Sequence, residues 1–357
     1  DQGWQATAAQ FSWAGNARTA RPIVSTLVEQ VEREPLSEAA MTRAMDAIMS
    51  GAMTPAQIGQ FLKALAQRGE TAQEIAAAVK VLRRHATPLP LSRSLELCDT
   101  CGTGGDGQQT FNISTLAALV AASCGVRVAK HGNRAASSRC GSADLLQALG
   151  LNLEASPERV ARSIETLGFG FCFAPLFHPA MKAVAPVRKA LGIRTIFNLV
   201  GPLANPAPLT SQLVGVAESH LMRPMAEALQ TLGIRHGMVV HGLDGLDEVT
   251  IAQETEVLEV RGPTIESTRI RPEDFNIRRV SVEELRGGDP AQNATLAREV
   301  MRGQRSPKRQ VVALNAGCAI YVADQARTLQ EAVAKAGAAL DSGRALALLE
   351  QVVEFST

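Results

Sequence analysis

Four glycines fall within six residues in the segment between Asp99 and Thr115. Glycine has no side chain and tolerates positive φ, so successive backbone N–H groups of such a loop can converge on an anion. Apolar runs flank the segment and predict a strand over residues 95–101 and a helix from Asn112, whose positive end would strengthen anion binding. The Gly-Lys-Ser/Thr of a Walker loop is missing. We therefore predict a loop that binds another kind of phosphate, with a simple tight turn as the alternative.

A second polar loop, residues 130–138, follows a predicted strand over residues 126–130. Lys130 and Arg134 bring positive charge to it, and Ser137 and Ser138 bring hydroxyl groups. In open α/β sheets, ligands collect in the crevice at the carboxyl ends of the strands. Two such loops separated by one crossover helix are therefore predicted to face the same pocket.

Adjacent carboxylates at Asp247 and Glu248 end a glycine-containing loop that follows another predicted strand. Carboxylates of this kind can hold Mg²⁺, which prefers oxygen ligands and bridges to substrate phosphates. An exposed acidic turn is the alternative, and Asp244 competes for the same role. The two phosphate-type loops favour the magnesium interpretation.

Arg188 lies in a helical stretch that is rich in positive charge. The guanidinium fork can hold a carboxylate through two parallel hydrogen bonds, so this arginine is a candidate for binding an acidic substrate. A cationic surface face of the helix is the alternative. His178, and likewise His131, is either a polar residue lining the channel for an aromatic acid or an ordinary loop histidine.

The composition excludes several classes of function. A formal net charge of +1 over 357 residues, with 46% apolar and 20% charged residues, gives no bulk attraction to nucleic acid or to an acidic membrane. Apolar runs stop well short of the roughly 18 residues that a membrane span needs, so we expect a soluble, cytoplasmic protein. The six cysteines are expected to be reduced. On a strand, Cys98 and Cys101 would point to opposite faces, which favours packing over metal or redox chemistry.

The periodicity of the chain predicts an α/β fold with a small N-terminal α-helical domain and a larger α/β domain whose sheet is mainly parallel. Helix starts are expected at Ser37, Thr54 and Thr71. The predicted domains are an extension over residues 1–22, the helical domain over 23–92 and the α/β domain over 93–357. Further strands are predicted at 168–174, 212–217, 237–241, 249–252 and 257–260, and further helices at 157–167, 179–200 and 328–353.

Six motifs in this order strongly resemble the anthranilate phosphoribosyltransferases, from about residue 23 to the C-terminus. They are Gly-Thr-Gly-Gly-Asp at 102–106, Asn-Ile-Ser-Thr at 112–115, Lys-His-Gly-Asn-Arg at 130–134, Arg188, the segment 198–205 and Asp247-Glu248. The resemblance implies a glycosyltransferase of tryptophan biosynthesis that joins anthranilate to phosphoribosyl pyrophosphate and releases pyrophosphate. It also implies the nucleoside phosphorylase and phosphoribosyltransferase type of fold. Segment 179–200 would join the helical domain in space, and that domain would form a homodimer.

The resemblance also assigns site residues. Those implied for phosphoribosyl pyrophosphate are Gly102, Gly105, Asp106, Thr110, Asn112, Ile113, Ser114, Thr115, Lys130, His131, Gly132, Asn133, Arg134, Ala135, Ala136, Ser137, Ser138 and Ser142. Those implied for anthranilate are Gly102, His131, Asn133, His178, Met181 and Arg188. Those implied for Mg²⁺ are Ser114, Asp247 and Glu248. Asn133 and Arg188 would orient the substrate, and no general base is assigned because the aromatic amine is already neutral near neutral pH.

The sequence departs from the family pattern at Ala204, where threonine is frequent, at Cys140 and at Gln108 and Gln109. None of these positions is a predicted ligand. Two alternatives stay open at this point. A pyrimidine nucleoside phosphorylase should carry Lys-His-Ser in the second loop and lack the paired carboxylates. A non-catalytic relative that binds nucleic acid should lose parts of the first loop and gain a basic surface.

Overall fold

A seven-stranded sheet in the order β3-β2-β1-β4-β5-β6-β7 forms the centre of the fold. The computed structural model describes residues 27–92, 94–135 and 138–357, so the predicted extension over residues 1–22 lies outside the described residues. β1 to β5 are parallel, and β6 and β7 add an antiparallel hairpin at one edge. The predicted fold class is confirmed. The strands are β1 Cys98–Gly102, β2 Val128–Gly132, β3 Phe169–Phe173, β4 Ser211–Gly215, β5 His236–Gly242, β6 Thr255–Arg261 and β7 Thr264–Ile270.

The N-terminal part is helical, and its helices begin where the sequence predicts. The hydroxyls of Ser37, Thr54 and Thr71 each accept a hydrogen bond from a backbone N–H of the first turn, which satisfies a donor that has no partner within the helix. The α-helices are α1 Glu38–Met49, α2 Pro55–Arg68, α3 Ala72–Arg84, α4 Ile113–Ser123, α5 Ser142–Ala148, α6 Pro157–Leu167, α7 Ala174–Phe177, α8 Ala185–Leu191, α9 Ile196–Leu203, α10 Met222–Thr231, α11 Pro290–Met301, α12 Pro307–Val322, α13 Leu329–Asp341 and α14 Arg344–Ser356. No described helix is both long and apolar enough to cross a membrane.

Two of the long helices predicted from the sequence are broken. The segment predicted to be helical over 179–200 is a 3-10 turn followed by α8 and α9, and the tail predicted as a helix over 328–353 is the pair α13 and α14. Gly192 ends α8 and Gly343 precedes α14, both in the left-handed conformation that glycine adopts without strain. The apolar spacing continues across both breaks, which is why periodicity alone joined the helices. In space, α8 packs against α2 and α9 packs against α3.

One strand prediction is wrong and one strand was not predicted. Val249, Thr250 and Ile251 are β-branched, yet residues 249–252 form a buried irregular segment. Side chains satisfy its backbone, because Val249 N donates to Asn315 Oδ1 at 3.0 Å and Thr250 N donates to Thr255 Oγ1 at 3.0 Å. β6 instead pairs with β5 and with β7, and the polar, mostly exposed residues of β7 gave little apolar signal.

Alternate side chains of the strands enter two separate cores. Val128, Leu213 and Met238 face α4 and the C-terminal helices, whereas Val214 and Val239 face α10 and the N-terminal helices. A parallel sheet covered on both faces requires this apolar character on both sides. The carboxyl ends of the parallel strands therefore remain the part of the sheet where polar loops gather.

A buried polar network ties three of these elements together. Asn205 Nδ2, just beyond α9, donates to Asp99 Oδ2 on β1 at 2.8 Å and to the Ala129 carbonyl on β2 at 2.6 Å. Asp99 Oδ1 also accepts from His131 N at 3.3 Å. Burial raises the pKa of Asp99 to about 6, although Lys130 and Asn205 oppose the rise. Asn205 thus holds the two strands that carry the phosphate-type loops.

Replacement of Asn205 by alanine should destabilise the protein by about 3 kcal/mol, because a buried carboxylate and a buried carbonyl each lose one donor. Urea-induced unfolding, followed by circular dichroism, measures the shift. Gln60→Ala, on the exposed side of α2, is the control and should change stability by less than about 0.5 kcal/mol. Equal unfolding midpoints for Asn205→Ala and the parent protein would contradict this role of the network.

Candidate functional site

Four of the five parallel strands end on glycine at one edge of the sheet: Gly102, Gly132, Gly215 and Gly242. A Cβ atom added to Gly102 would collide with the carboxylate of Asp247, and one added to Gly215 would collide with the backbone carbonyl of the same residue. The Asp247 loop therefore packs directly on the ends of β1 and β4. Gly215 was not predicted as a site residue, and only its position at the end of a strand pattern could have signalled it.

The two acidic residues hold backbone N–H groups of the first loop. Asp247 Oδ2 accepts from Gly104 N at 2.7 Å, and Glu248 Oε1 accepts from Ser114 N at 3.1 Å. Gly104 has a φ of +67°, and Ser114 lies in the first turn of α4. One of these N–H groups belongs to the glycine-rich loop and the other to a helix N-terminus, and both positions suit an anion. In this structure the chain's own carboxylates accept from them.

Negative charge is concentrated at this point. Burial, with the nearby Asp106 carboxyl, raises the pKa of Asp247 to about 7. Burial, with the neighbouring Asp247, raises the pKa of Glu248 to about 8. Lys130 opposes the second shift, and its buried Nζ donates to the Thr100 carbonyl at 2.5 Å. The site would be stabilised by a further cation.

The donor set fits a magnesium ion. Asp247, Glu248 and the Ser114 hydroxyl are hard oxygen ligands, and Mg²⁺ is usually bound by one or two carboxylates together with substrate phosphates. Among the described residues, no group of three or more His, Cys, Asp or Glu side chains is arranged to hold a metal by itself. Asp244, the competing candidate, closes its own turn by accepting from Thr250 Oγ1 at 2.5 Å.

The remaining residues predicted for the first loop lie along the same segment. Gly105 and Asp106 follow Gly104, and Thr110 forms an isolated β-bridge with Arg286. Gln108, one of the departures from the family pattern, donates from Nε2 to the Asp244 carbonyl at 3.0 Å and so ties this loop to the Asp247 loop. Ile113 and Thr115 are buried in α4, so they can reach a ligand only through the backbone.

The second loop is organised by an aspartate that sequence reasoning missed. Asp144, in the first turn of α5, accepts from Arg134 NH1, Ala135 N and Gly141 N, each at 2.9 Å. The Asn133 carbonyl accepts from Ser142 Oγ at 3.3 Å. An acidic residue in the first turn of a predicted helix was the available signal.

Other predicted residues of the second loop lie around these contacts. Asn112 Nδ2 joins the two loops by donating to the Cys140 carbonyl at 2.9 Å. Ser138 is exposed, and Gly132 fits closely beneath Ser142 and Phe171. Ala136 and Ser137 lie outside the described residues.

A cavity of about 230 Å³ opens between the end of β2, the segment 174–188 and α9. It is lined by five of the six residues predicted for anthranilate. These are His131, Asn133, His178, Met181 and Arg188. The sixth, Gly102, lies at the end of β1 under Asp247 and does not line this cavity. Phe197 and Val200 add apolar wall, so a flat ring with polar groups at its edge suits the space.

Arg188 has the environment expected of a carboxylate-binding residue. Its NH2 donates to Asn198 Oδ1 over a long 3.4 Å, and the guanidinium lies 5.6 Å from the centre of the Phe197 ring. Burial lowers the pKa of Arg188. No ion pair joins it to an acidic side chain among the described residues, so its charge is available to a ligand.

Cys98 and Cys101 are both free thiols, as predicted. Burial raises the pKa of each to about 12, so both are protonated and unreactive.

The chain matches two family models that divide it as the fold does. The model of the glycosyl transferase family, a/b domain, matches residues 94–346, and that of the same family's helical bundle domain matches residues 21–86. An anthranilate phosphoribosyltransferase of Symbiobacterium thermophilum is 48% identical over 334 residues, which are 93% of this chain and 98% of that protein.

Solved structures of the same enzyme are similar in fold. The crystal structure of anthranilate phosphoribosyltransferase from Thermus thermophilus matches with a TM-score of 0.88 and 49% identity, covering 94% of this chain and 99% of that one. The enzyme from Saccharomyces cerevisiae in complex with PRPP and Mg matches with a TM-score of 0.86 and 28% identity, covering 94% and 98%.

Replacement of Gly215 by alanine should push the Asp247 loop off the strand ends and release Gly104 N and Ser114 N from their carboxylates. Amide hydrogen exchange over residues 103–115 and 243–250 should become at least about tenfold faster. Gly337→Ala, in a helix with room for a methyl group, is the matched control and should leave exchange there unchanged. Unchanged exchange in Gly215→Ala would show that the close approach does not hold the loop.

Proposed function

The chain belongs to the anthranilate phosphoribosyltransferase family, and we propose that it transfers the phosphoribosyl group of phosphoribosyl pyrophosphate to the amine of anthranilate. The observation that carries the proposal is the cavity beside the end of β2, where Arg188 and Asn133 come together on walls suited to an aromatic ring. Both phosphate-type loops end at the same edge of the sheet. The two substrates would therefore meet where this cavity opens toward the loops.

Arg188 would hold the carboxylate of anthranilate. Its long hydrogen bond to Asn198 is readily exchanged for two charge-assisted bonds to the substrate. Asn133, the residue after β2, lines the same cavity and would orient the amine toward the ribose. Because the aromatic amine attacks in its neutral form, orientation is the main contribution of these two residues.

The first loop and α4 would bind the pyrophosphate. Gly104 N and Ser114 N already hold carboxylate oxygens, which are anionic acceptors like those of a phosphate. Asp247, Glu248 and Ser114 would hold Mg²⁺. Carboxylates that bind the cation would no longer occupy Gly104 N and Ser114 N, so both amides would be available to the leaving group. When bound, Mg²⁺ neutralises charge that develops on the departing pyrophosphate.

The second loop would hold the phosphoribosyl end of the same substrate. Asp144 keeps Arg134 and the backbone of Ala135 in place, and Arg134 remains about half exposed on its outer side. The loop can thus present a guanidinium and backbone amides to a phosphate. Asp144 would act as a positioning residue here, since its carboxylate contacts the loop rather than the substrate.

A homodimer formed through the helical domain, with segment 179–200 joining that domain, remains part of the proposal. The family resemblance supports it. Light scattering of the purified protein should give twice the mass of one chain, and a monomer mass at micromolar concentration would contradict it.

The activity is tested by mixing the protein with anthranilate, phosphoribosyl pyrophosphate and Mg²⁺ and following the loss of anthranilate fluorescence. The loss should require all three additions. A pyrimidine nucleoside with inorganic phosphate serves as the competing substrate pair. Turnover of the nucleoside, or no loss of fluorescence with folded protein, would overturn the proposal.

Arg188→Ala should raise KM for anthranilate about 10- to 100-fold and leave KM for phosphoribosyl pyrophosphate unchanged, because a charge-assisted pair contributes about 1.5–3 kcal/mol. Lys189→Ala changes the neighbouring exposed cation of the same helix and should leave both constants unchanged. Steady-state kinetics with each substrate varied in turn makes the measurement. Equal effects on both KM values would remove Arg188 from the anthranilate site.

A further inference from the structure

Four successive backbone carbonyls at the C-terminal end of α9 are bound by side chains from four different parts of the chain. Gly201 O faces His131 Nδ1 at 3.2 Å, and Pro202 O accepts from Gln212 Nε2 at 2.6 Å. Leu203 O accepts from Arg83 Nε at 3.1 Å and NH2 at 2.8 Å. The Ala204 carbonyl lies close enough to the His178 ring to raise its pKa against the effect of burial. The last carbonyls of a helix lack the usual partners within it, so side chains supply donors here, although Gly201 O also accepts from Ala204 N at 3.4 Å.

The two histidines both line the cavity, and the bond of His131 to a carbonyl fixes which of its ring nitrogens carries the proton. A carbonyl only accepts, so Nδ1 of His131 is the protonated nitrogen. Nε2 of each ring is buried and has no hydrogen-bond partner among the described residues, and the nearby Ala204 carbonyl favours a proton on Nδ1 of His178 as well. The ring centres are 5.1 Å apart.

Both rings are neutral. Burial lowers the pKa of His131 to about 3. The neighbouring basic groups of His178, Lys130 and Arg83 act in the same direction, because they disfavour a second positive charge. Burial lowers the pKa of His178 as well. A neutral ring with its proton on Nδ1 has a lone pair on Nε2. Two buried acceptors therefore lack a donor in this cavity.

We propose that Arg83 and Gln212 are positioning residues for the transfer: they hold the end of α9, whose carbonyls fix His131 and His178 with both Nε2 lone pairs available to an N–H donor of the bound substrate. The inference rests on the proposed function, which supplies an aromatic amine as that donor. Arg83 belongs to α3 and Gln212 to β4, so α9 is held from the helical part and from the sheet at once. Neither residue lines the cavity.

Arg83 can act in this way because its charge lies at the negative end of a helix. Cations near the last turn of a helix interact favourably with its carbonyls. Asp99, buried on β1, is a neighbouring negative charge. Arg84, the next residue, is exposed and instead pairs with Asp46 of α1 at 2.5 Å. The adjacent arginines thus form a matched pair, of which one holds α9 and the other does not.

The experiment uses the full chain labelled with ¹⁵N-histidine and records long-range ¹H–¹⁵N spectra, which distinguish Nδ1–H from Nε2–H rings. The six histidines give few signals, and His131→Asn and His178→Asn assign the two of interest. In the free protein both should carry the proton on Nδ1. In Arg83→Met both signals should change toward a mixture of tautomers, and KM for anthranilate should rise about tenfold with KM for phosphoribosyl pyrophosphate unchanged.

Arg83→Lys keeps one donor and should restore the spectrum in part, and it also serves if Arg83→Met does not fold. Gln212→Met removes the donor to Pro202 at similar volume and should act in the same direction as Arg83→Met. Arg84→Met should leave spectrum and kinetics unchanged. An Nε2–H ring at either histidine in the free protein would overturn the inference, as would unchanged histidine signals in folded Arg83→Met or in folded Gln212→Met. Correct tautomers without any transfer activity would instead count against the proposed function.

Discussion

The close approach of the Asp247 loop to the ends of β1 and β4 is the contact on which the site depends. A loop can cross the ends of two strands at this distance only where the strand residues have no side chain. Gly102 and Gly215, which are paired across β1 and β4, provide that space. From there, Asp247 and Glu248 reach the first loop and the start of α4. A single steric constraint thus sets the distance between the acidic pair and the amides that would bind pyrophosphate.

The same contact creates an electrostatic problem that ligand binding would relieve. Two adjacent carboxylates, with Asp106 nearby, are crowded into a site where burial already disfavours their charge. Lys130 supplies one buried positive charge beneath them, and backbone N–H groups supply partial charges. Under the proposed function, the substrate would bind the same donors. A cation and a pyrophosphate would therefore bind favourably together. The cation would reduce the repulsion between the buried carboxylates, and the pyrophosphate would take up the backbone N–H groups that the carboxylates release.

Local signals in the sequence predicted most of this arrangement. Caps such as Thr54 and Thr71, the glycine-rich loop and the paired carboxylates act over a few residues, so their spacing is visible in the chain. The segment 249–252 shows where such reasoning fails, because Asn315, far away in sequence, satisfies its backbone and removes the need for a strand partner. Asn205 closes one of the motifs, but nothing local showed that its partners lie on β1 and β2, and Arg83 had no local signature at all, since its partner is a carbonyl of α9.

The most direct test of the account is calorimetric titration of the protein with phosphoribosyl pyrophosphate, with and without Mg²⁺. We expect binding to be at least about tenfold weaker without the metal, because Asp247 and Glu248 then keep the amides of the loop and of α4. The double variant Asp247→Asn, Glu248→Gln should bind the metal-free substrate more tightly than the parent protein does. Equal affinity of the parent protein with and without Mg²⁺ would contradict the account.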